Sequence, residues 1–357
     1  MKALVLSGGA GTRLRPFSHS MPKQLIPVAN KPVLEHVLEN IVALGVSDIG
    51  VVVGDWEPEI TAVLGDGSRL GARLTYLRQD KPRGLADCVR VARDFLGDDD
   101  FVMYLGDCML VGGVAEAAEE FARLRPRAYV VVHKVADPSA FGVVEMDPDG
   151  TVRRLVEKPR DARSDLALTG VYFFTSAIHR AIDAIGPSAR GELEITDAIQ
   201  WLVTDGAEVR AGRYRGYWKD TGRIDDVLEC NRKLLDGLVR RVDGAVDGAS
   251  ELDGAVVVEP GARVTRSRIE GPAIIGAGTL VEDCVIGPHT SVGRDCSLGG
   301  SRLGYSIVLD GAEIHRVDRL HGSVIGRFAV VGPVTDDGDR QRLVIGDHSR
   351  VQVGGER

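Results

Sequence analysis

Residues 2–16 read KALVLSGGAGTRLRP, an aliphatic run that enters three glycines and then two arginines. Lys2–Leu6 reads as a buried parallel strand, short and ended by a turn. Gly8, Gly9 and Gly11 have no Cβ, so the backbone can fold tightly and press its N–H groups against a ligand. Arg13 and Arg15 set cations beside that surface, and the combination predicts a phosphate cradle at a strand end. Neither fixed-spacing glycine motif is present. Leu14 stands where G-x-G-x-x-G needs glycine, and no Gly-Lys-Ser/Thr follows Gly8 at P-loop spacing. The continuation carries Pro16, Pro22, Pro27 and Pro32, a stiff path that brings Lys23 back toward the cradle.

From this strand to about residue 238, strands and helices alternate. Ile49–Val53, Leu74–Leu77 and Val102–Leu105 read as strands, while 33–44 and 113–124 read as amphipathic helices. Such alternation predicts an α/β domain, a Rossmann-like, mostly parallel sheet flanked by helices over 1–238, with ligands at the carboxyl ends of its strands. Beyond it the rhythm changes. Val264, Ile269, Ile275, Val281, Ile286, Val292, Leu298 and Leu303 recur in steps of 5 or 6, three steps spanning 17 residues. An aliphatic residue on so short a strand is buried only by stacking on coils above and below. The second domain, 239–357, is therefore expected to be a left-handed parallel β-helix of the hexapeptide type, running from about 250 to 353.

Composition excludes several classes. The chain has 357 residues, a net charge of −8 and no apolar run long enough for a membrane span. The acidic balance argues against a nucleic-acid partner. Five scattered cysteines with no C-x-x-C pair suit free thiols in a reducing cytoplasm. Eight histidines show no metal-ligand spacing, and no serine lies in a G-x-S-x-G elbow.

The groups that remain are cations and acids. Asp107, in FVMYLGDCML, lies just past a buried strand, and Asp220, in GYWKDTGRIDD, is the second acidic candidate. Two carboxylates at separate strand ends suit Mg²⁺, which accepts few protein ligands when phosphates supply the rest; each alone reads equally well as a turn cap. Glu157 and Lys158, leaving a strand before Pro159, offer a hydroxyl acceptor beside a phosphate cation. Arg190 precedes an acidic helix start that could simply complement the helix dipole. Together these groups suit phosphoryl or nucleotidyl transfer, in which positioning and charge neutralisation do most of the work.

The stretch GGAGTRLRPFSHSMPKQLIPVANKP resembles the signature of sugar-1-phosphate nucleotidylyltransferases, in the form found in glucose-1-phosphate thymidylyltransferases. RQDKPRGLA, YLGD, FGVVEMD, VEKP, TGVYFF, RGELEITDAI and WKDTG follow in the family's order, and the tail ending RLVIGDHSRVQV resembles the long form of the enzyme. The resemblance implies an Mg²⁺-dependent transfer of dTMP from dTTP to glucose-1-phosphate, releasing pyrophosphate. It implies nucleotide contacts from Leu6, Gly8, Gly9, Gly11, Thr12, Gln24, Gln79, Pro82 and Gly84, with Gln24, Gln79 and the Gly84 backbone at the base edge. Arg13 would neutralise the leaving pyrophosphate, Lys23 would bridge to the α-phosphate, and Asp107 and Asp220 would hold the metal. Gly142, Glu157 and Tyr172 would meet the sugar hydroxyls, with Lys158 and Arg190 on its phosphate.

Three departures bear on the substrate. Cys108 stands where the family usually has Asn, Asp87 follows GLA where His or Gln is usual, and Ser18 and His19 alter the first loop. Another sugar-1-phosphate, or UTP, is the alternative substrate. A catalytically silent, nucleotide-sugar-sensing subunit is the alternative class, opposed by the presence of Arg13, Lys23, Asp107, Lys158 and Asp220 together. The β-helix is expected to assemble a homo-oligomer and to contribute no catalytic group; an acyltransferase site there would need a positioned His base, for which His289, His315 and His321 are candidates by residue type alone.

Overall fold

In the computed structural model, residues 1–9 and 11–332 are described; the β-helix expected beyond 332 and the tail 342–353 lie outside the described residues. Contacts divide the chain into two units. One is built from residues 1–9 and Val33–Asp220, the other from Gly11–Pro32 and the chain from Thr221 onward.

In the first unit, strands β1 (Lys2–Leu6), β2 (Asp48–Val53), β3 (Arg73–Arg78) and β4 (Phe101–Leu105) are parallel, in the order 4-1-2-3. The order reverses between β1 and β4, and there the Gly106 N–H donates to the Leu6 carbonyl at 2.9 Å. The glycine turn after β1 and Asp107 after β4 therefore share the switch point where such sheets bind ligands. The remaining strands are β5 (Cys108–Val111), β6 (Ala128–Lys134), β7 (Gly142–Met146), β8 (Val152–Glu157), β9 (Leu166–Phe174), β10 (Val209–Arg213) and β11 (Tyr217–Asp220). Strand β9 is antiparallel to β4, β6 and β7, so the sheet is parallel on one side and mixed on the other.

All nine residues of β9, LALTGVYFF, are buried, as expected of a central strand covered on both faces. Its interruption is Gly170, at φ +90°, where the pairing with β6 shifts register between Leu168 and Tyr172. A Cβ there would lie 2.8 Å from the Cys108 sulfur, so only glycine permits this bulge against β5. The bulge frees the Thr169 carbonyl to accept the Trp218 indole N–H at 2.9 Å, which fixes Trp218 on β11.

In the second unit, short strands stack in three parallel sheets, consistent with the left-handed β-helix that the period predicts. The register is 17 residues along Leu252, Ile269, Ile286, Leu303 and Leu320. One coil is shorter: Ser291 pairs with Ile307 and Leu298 with Ile314, a step of 16. The missing residue is lost at a turn, where Gly304–Ser306 replaces Gly287–Thr290. Inside one corner runs a column, Ser250, Ser267, Cys284 and Ser301. The backbone N–H groups of Ser267, Cys284, Ser301 and Val317 donate to these side chains, each one coil back, at 3.0, 3.0, 3.5 and 3.1 Å. Inward-facing corner N–H groups that no strand would pair are satisfied this way.

One β-helix face is covered by its own chain. Val257 and Ile274 point outward yet are buried against Leu235 and Leu238 and against Ala29 of the signature loop. The helix Ile224–Leu235 contributes Asn231, 1% exposed, whose oxygen accepts the Ser291 hydroxyl at 2.5 Å and the Ala29 N–H at 2.8 Å. Asn30 donates to the Val292 carbonyl at 2.6 Å. Ala29 and Asn30, at φ +49° and +59°, form the two-residue turn between Pro27–Val28 and Lys31–Pro32, a primed turn that is unfavourable for alanine. Asn231 and the β-helix hold that turn in place. His289 is taken up at the end of the same helix, its Nε2 3.0 Å from Asp236.

Candidate active site

A cavity of ≈ 170 Å³ in the first unit collects Asp107, Gly142, Glu157, Lys158, Tyr172 and Asp220, six of the residues singled out in the sequence. Their convergence follows from register. Strand β11 runs antiparallel to β5 with Asp220 opposite Cys108, so the last residue of β11 lies beside the residue that follows Asp107. Strands β7 and β8 pair with Gly142 opposite Glu157. A Cβ on Gly142 would meet Glu157 Oε2 and Thr196 Oγ1, each at 3.2 Å, and the Leu168 side chain at 2.6 Å. Glycine lets the Glu157 carboxylate lie across the strand.

Glu157 is held from two sides. Thr196 Oγ1 donates to its Oε2 at 2.7 Å, while Arg190 Nη1 and Lys158 Nζ lie 3.4 and 3.6 Å from Oε1. Arg190 also faces Glu192 and Glu194, each at 3.2 Å, so it is the hub of three carboxylates. Burial holds the Glu194 carboxyl above the usual range, against the pull of Ser188 and Arg190. Burial likewise pushes the Tyr172 phenol up. Tyr172 thus stays a hydrogen-bond donor as well as an acceptor. Lys158 itself sits at φ +42°, an uncommon conformation that turns the chain out of β8 before Pro159.

The other predicted residues lie elsewhere. Leu6, Gly8 and Gly9 end β1, with the glycines exposed. Gln79 follows β3, Pro82 is exposed in the next turn, and Gly84 caps the helix Leu85–Val91. Gly84, at φ +105°, accommodates Leu193, whose carbonyl would lie 2.4 Å from a Cβ. Gly11, Thr12, Arg13, Lys23 and Gln24 belong to the second unit: Gly11 caps the 3₁₀ turn Thr12–Leu14, and Lys23 and Gln24 lie on the 3₁₀ turn Lys23–Leu25. There Lys23 packs beside Gly11: a Cβ on Gly11 would lie 3.3 Å from the Lys23 Cβ.

Sequence reasoning missed Thr196, Glu194, Phe141, Gly170 and Trp218 on the cavity wall. Thr196 and Glu194 lie inside RGELEITDAI, yet nothing in that motif shows which side chain faces Glu157. Among the described residues no group of three or more His, Cys, Asp or Glu is arranged to hold a metal ion. Two carboxylates are a donor set that fits Mg²⁺, whose remaining positions go to water and phosphate oxygens. Gly142→Ala should raise KM for the sugar substrate on the order of tenfold by displacing Glu157, with a smaller effect on KM for the nucleotide. Steady-state kinetics in both substrates would detect this, and equal effects on both would count against the assignment.

The nucleotidyl transferase family profile matches residues 2–237. Over its full length the chain is similar to the glucose-1-phosphate thymidylyltransferases of Streptomyces griseus, 53% identical, and Streptomyces antibioticus, 52% identical, with 99% of each chain covered. It is also similar to the crystal structure of a Bacillus anthracis chain assigned as a glucose-1-phosphate thymidylyltransferase, in complex with sucrose. That likeness has a TM-score of 0.61 and 33% identity and covers 65% of this chain and 94% of that one.

Proposed function

The chain belongs to the nucleotidyl transferase family, and from that premise we propose that it makes dTDP-glucose and pyrophosphate from dTTP and glucose-1-phosphate. The observation that carries this reading is the cavity where Asp107 and Asp220 meet Glu157, Lys158 and Tyr172. It combines an all-oxygen pair of acids with a hydroxyl-reading acceptor, a cation and a phenol.

A phosphate oxygen of the sugar phosphate attacks the α-phosphorus of dTTP, the bond to the β-phosphate oxygen breaks, and pyrophosphate leaves with those electrons. The backbone of Gly8, Gly9 and Gly11 cradles the triphosphate, with Leu6 and Thr12 beside it. Arg13 meets the charge that grows on the leaving pyrophosphate, and Lys23 meets the α-phosphate. Glu157, Tyr172 and the Gly142 backbone orient the sugar hydroxyls, while Lys158 and Arg190 hold its phosphate and offset the repulsion between two anions. Catalysis comes chiefly from this alignment and charge neutralisation. Asp107 and Asp220 would hold Mg²⁺, which would supply positive charge against the triphosphate. Gln79, Pro82 and Gly84 are assigned to the base, and Gln24 is given the same role.

Pyrophosphate release with glucose-1-phosphate and a panel of triphosphates tests the reading. Thymine and uracil differ by one methyl, so UTP should fall only about tenfold below dTTP. Purine triphosphates should be rejected far more strongly, through size and an unpaired glutamine. ATP or GTP as the best substrate would overturn the base pocket, and no release from any triphosphate would favour the silent sensing subunit.

We further propose that the reaction is cytoplasmic, supported by five buried free thiols. No helix among the described residues is long and apolar enough to cross a membrane. The β-helix is proposed to carry homo-oligomer contacts through its uncovered faces, where Leu280, Phe328 and Val330 are exposed.

A further inference from the structure

Asp87, a departure from the family pattern, is 2% exposed in the first turn of the helix Leu85–Val91. One of its oxygens accepts from the Arg90 guanidinium. The other accepts from the Gln79 side-chain nitrogen at 2.8 Å, and the Gly84 carbonyl lies 3.5 Å from the same nitrogen. A carboxylate and a carbonyl have no hydrogen to give. The Cys88 thiol also lies against Gln79 but can donate to the Gly84 carbonyl, 3.6 Å from its sulfur, so the groups that fix this end of the amide are the carboxylate and the carbonyl, both acceptors, and the end is the NH₂. Reversing the amide would set its oxygen against a buried carboxylate and leave that carboxylate a donor short. The orientation of Gln79 follows from the chemistry of its neighbours, with the oxygen turned away from Asp87.

On the proposed function, in which Gln79 meets the base, we infer that Asp87 sets base selectivity by locking Gln79 with its oxygen toward the nucleotide. An oxygen at that place accepts from a ring N–H. Thymine and uracil carry one at N3, whereas cytosine carries a lone pair there. Asp87 is too buried to touch substrate, so it is a positioning residue that acts through Gln79. A glutamine or histidine at position 87 could donate as well as accept, and the lock would be lost.

Asp87→Asn tests this, because an asparagine amide can present either end to Gln79 and so frees it to turn. The measurement is kcat/KM for dTTP and for dCTP, with melting temperature as the check on folding. Wild type should prefer dTTP over dCTP by about 10²-fold or more. The variant should lose about tenfold or more of that preference, mainly through improved use of dCTP. An unchanged ratio in a folded variant overturns the inference, as does an equal fall with both triphosphates. Should the variant not fold, the Gln79 side-chain amide of the ¹⁵N-labelled wild-type protein carries the test. The proton held by Asp87 stays protected from exchange with solvent, with and without dTTP, if the oxygen faces the base, and loss of that protection on adding dTTP would overturn the lock. Wild-type protein that releases no pyrophosphate from dTTP would instead overturn the proposed function, whatever the orientation of Gln79.

Discussion

Asp107→Asn and Asp220→Asn are each expected to lower kcat by about 10²-fold or more while leaving the fold intact, since each keeps side-chain shape and removes one metal-ligand charge. The two acids are 113 positions apart in the chain, and the pairing of Asp220 with Cys108 sets them side by side. Both stand at strand ends on the cavity wall rather than within a hydrophobic layer, so the substitution disturbs little packing. On the proposed metal site, with two protein carboxylates for one Mg²⁺, losing either removes half of the protein's charge on the metal. Pyrophosphate release at saturating Mg²⁺, with circular dichroism to check folding, gives the answer. Rates within a few-fold of wild type would reject the metal-site assignment.

The second large effect is expected from ending the chain after Gly237. Read from sequence, the β-helix is a spectator to catalysis, and such a cut would leave transfer measurable. The structure changes the expectation, because the signature loop is seated on the coils. Truncation removes the Ser291 and Val292 partners of Asn231 and Asn30 and uncovers Ala29 and Leu235. The turn at Ala29 and Asn30 then loses what holds its left-handed backbone, and with it the anchorage of the loop that carries Arg13 and Lys23. Misplacing by about an ångström the cations proposed to act in transfer costs on the order of 10²-fold in rate, and a loss of at least that size is expected here. Glucose-1-phosphate binding, assigned to residues of the first unit, should survive in calorimetry while dTTP binding weakens. Light scattering of the same protein tests assembly, and an unchanged oligomer would refute that role for the β-helix. Near wild-type turnover would show that the loop holds its shape alone.

Much of this was legible in the sequence because it is local or periodic. The glycine turn, the helix at 33–42, the strand before Asp107 and the coil repeat each repeat a short-range rule within a few residues. What was hidden depends on pairing across long separations. A buried run such as LALTGVYFF looks the same whether its neighbours are parallel or antiparallel, so the mixed half of the sheet had no signature. The glycine inside it reads as a weakness until the approach of Cys108 is seen. Arg190 and Thr196 were visible as residues, but their common partner Glu157 is more than thirty positions away. Asn30 and Asn231 belong to no repeat at all, and nothing in their neighbourhoods marks them as one joint.

The serine and cysteine column inside the β-helix makes length in this chain a counted quantity. Each coil receives its N–H bond from a side chain one coil back, so excising 17 consecutive residues would return every surviving strand to an equivalent partner. Excising 15 or 19 would put every following strand two residues out of step, carry its buried aliphatic residue into a corner and break the column. The coil that closes in 16 does so only by shortening a turn, so tolerance of a one-residue change resides at the corners and not in the walls. Relatives of this chain should therefore differ in length here by whole coils, with single-residue differences confined to corner turns, as in a structure built by duplication of one small segment.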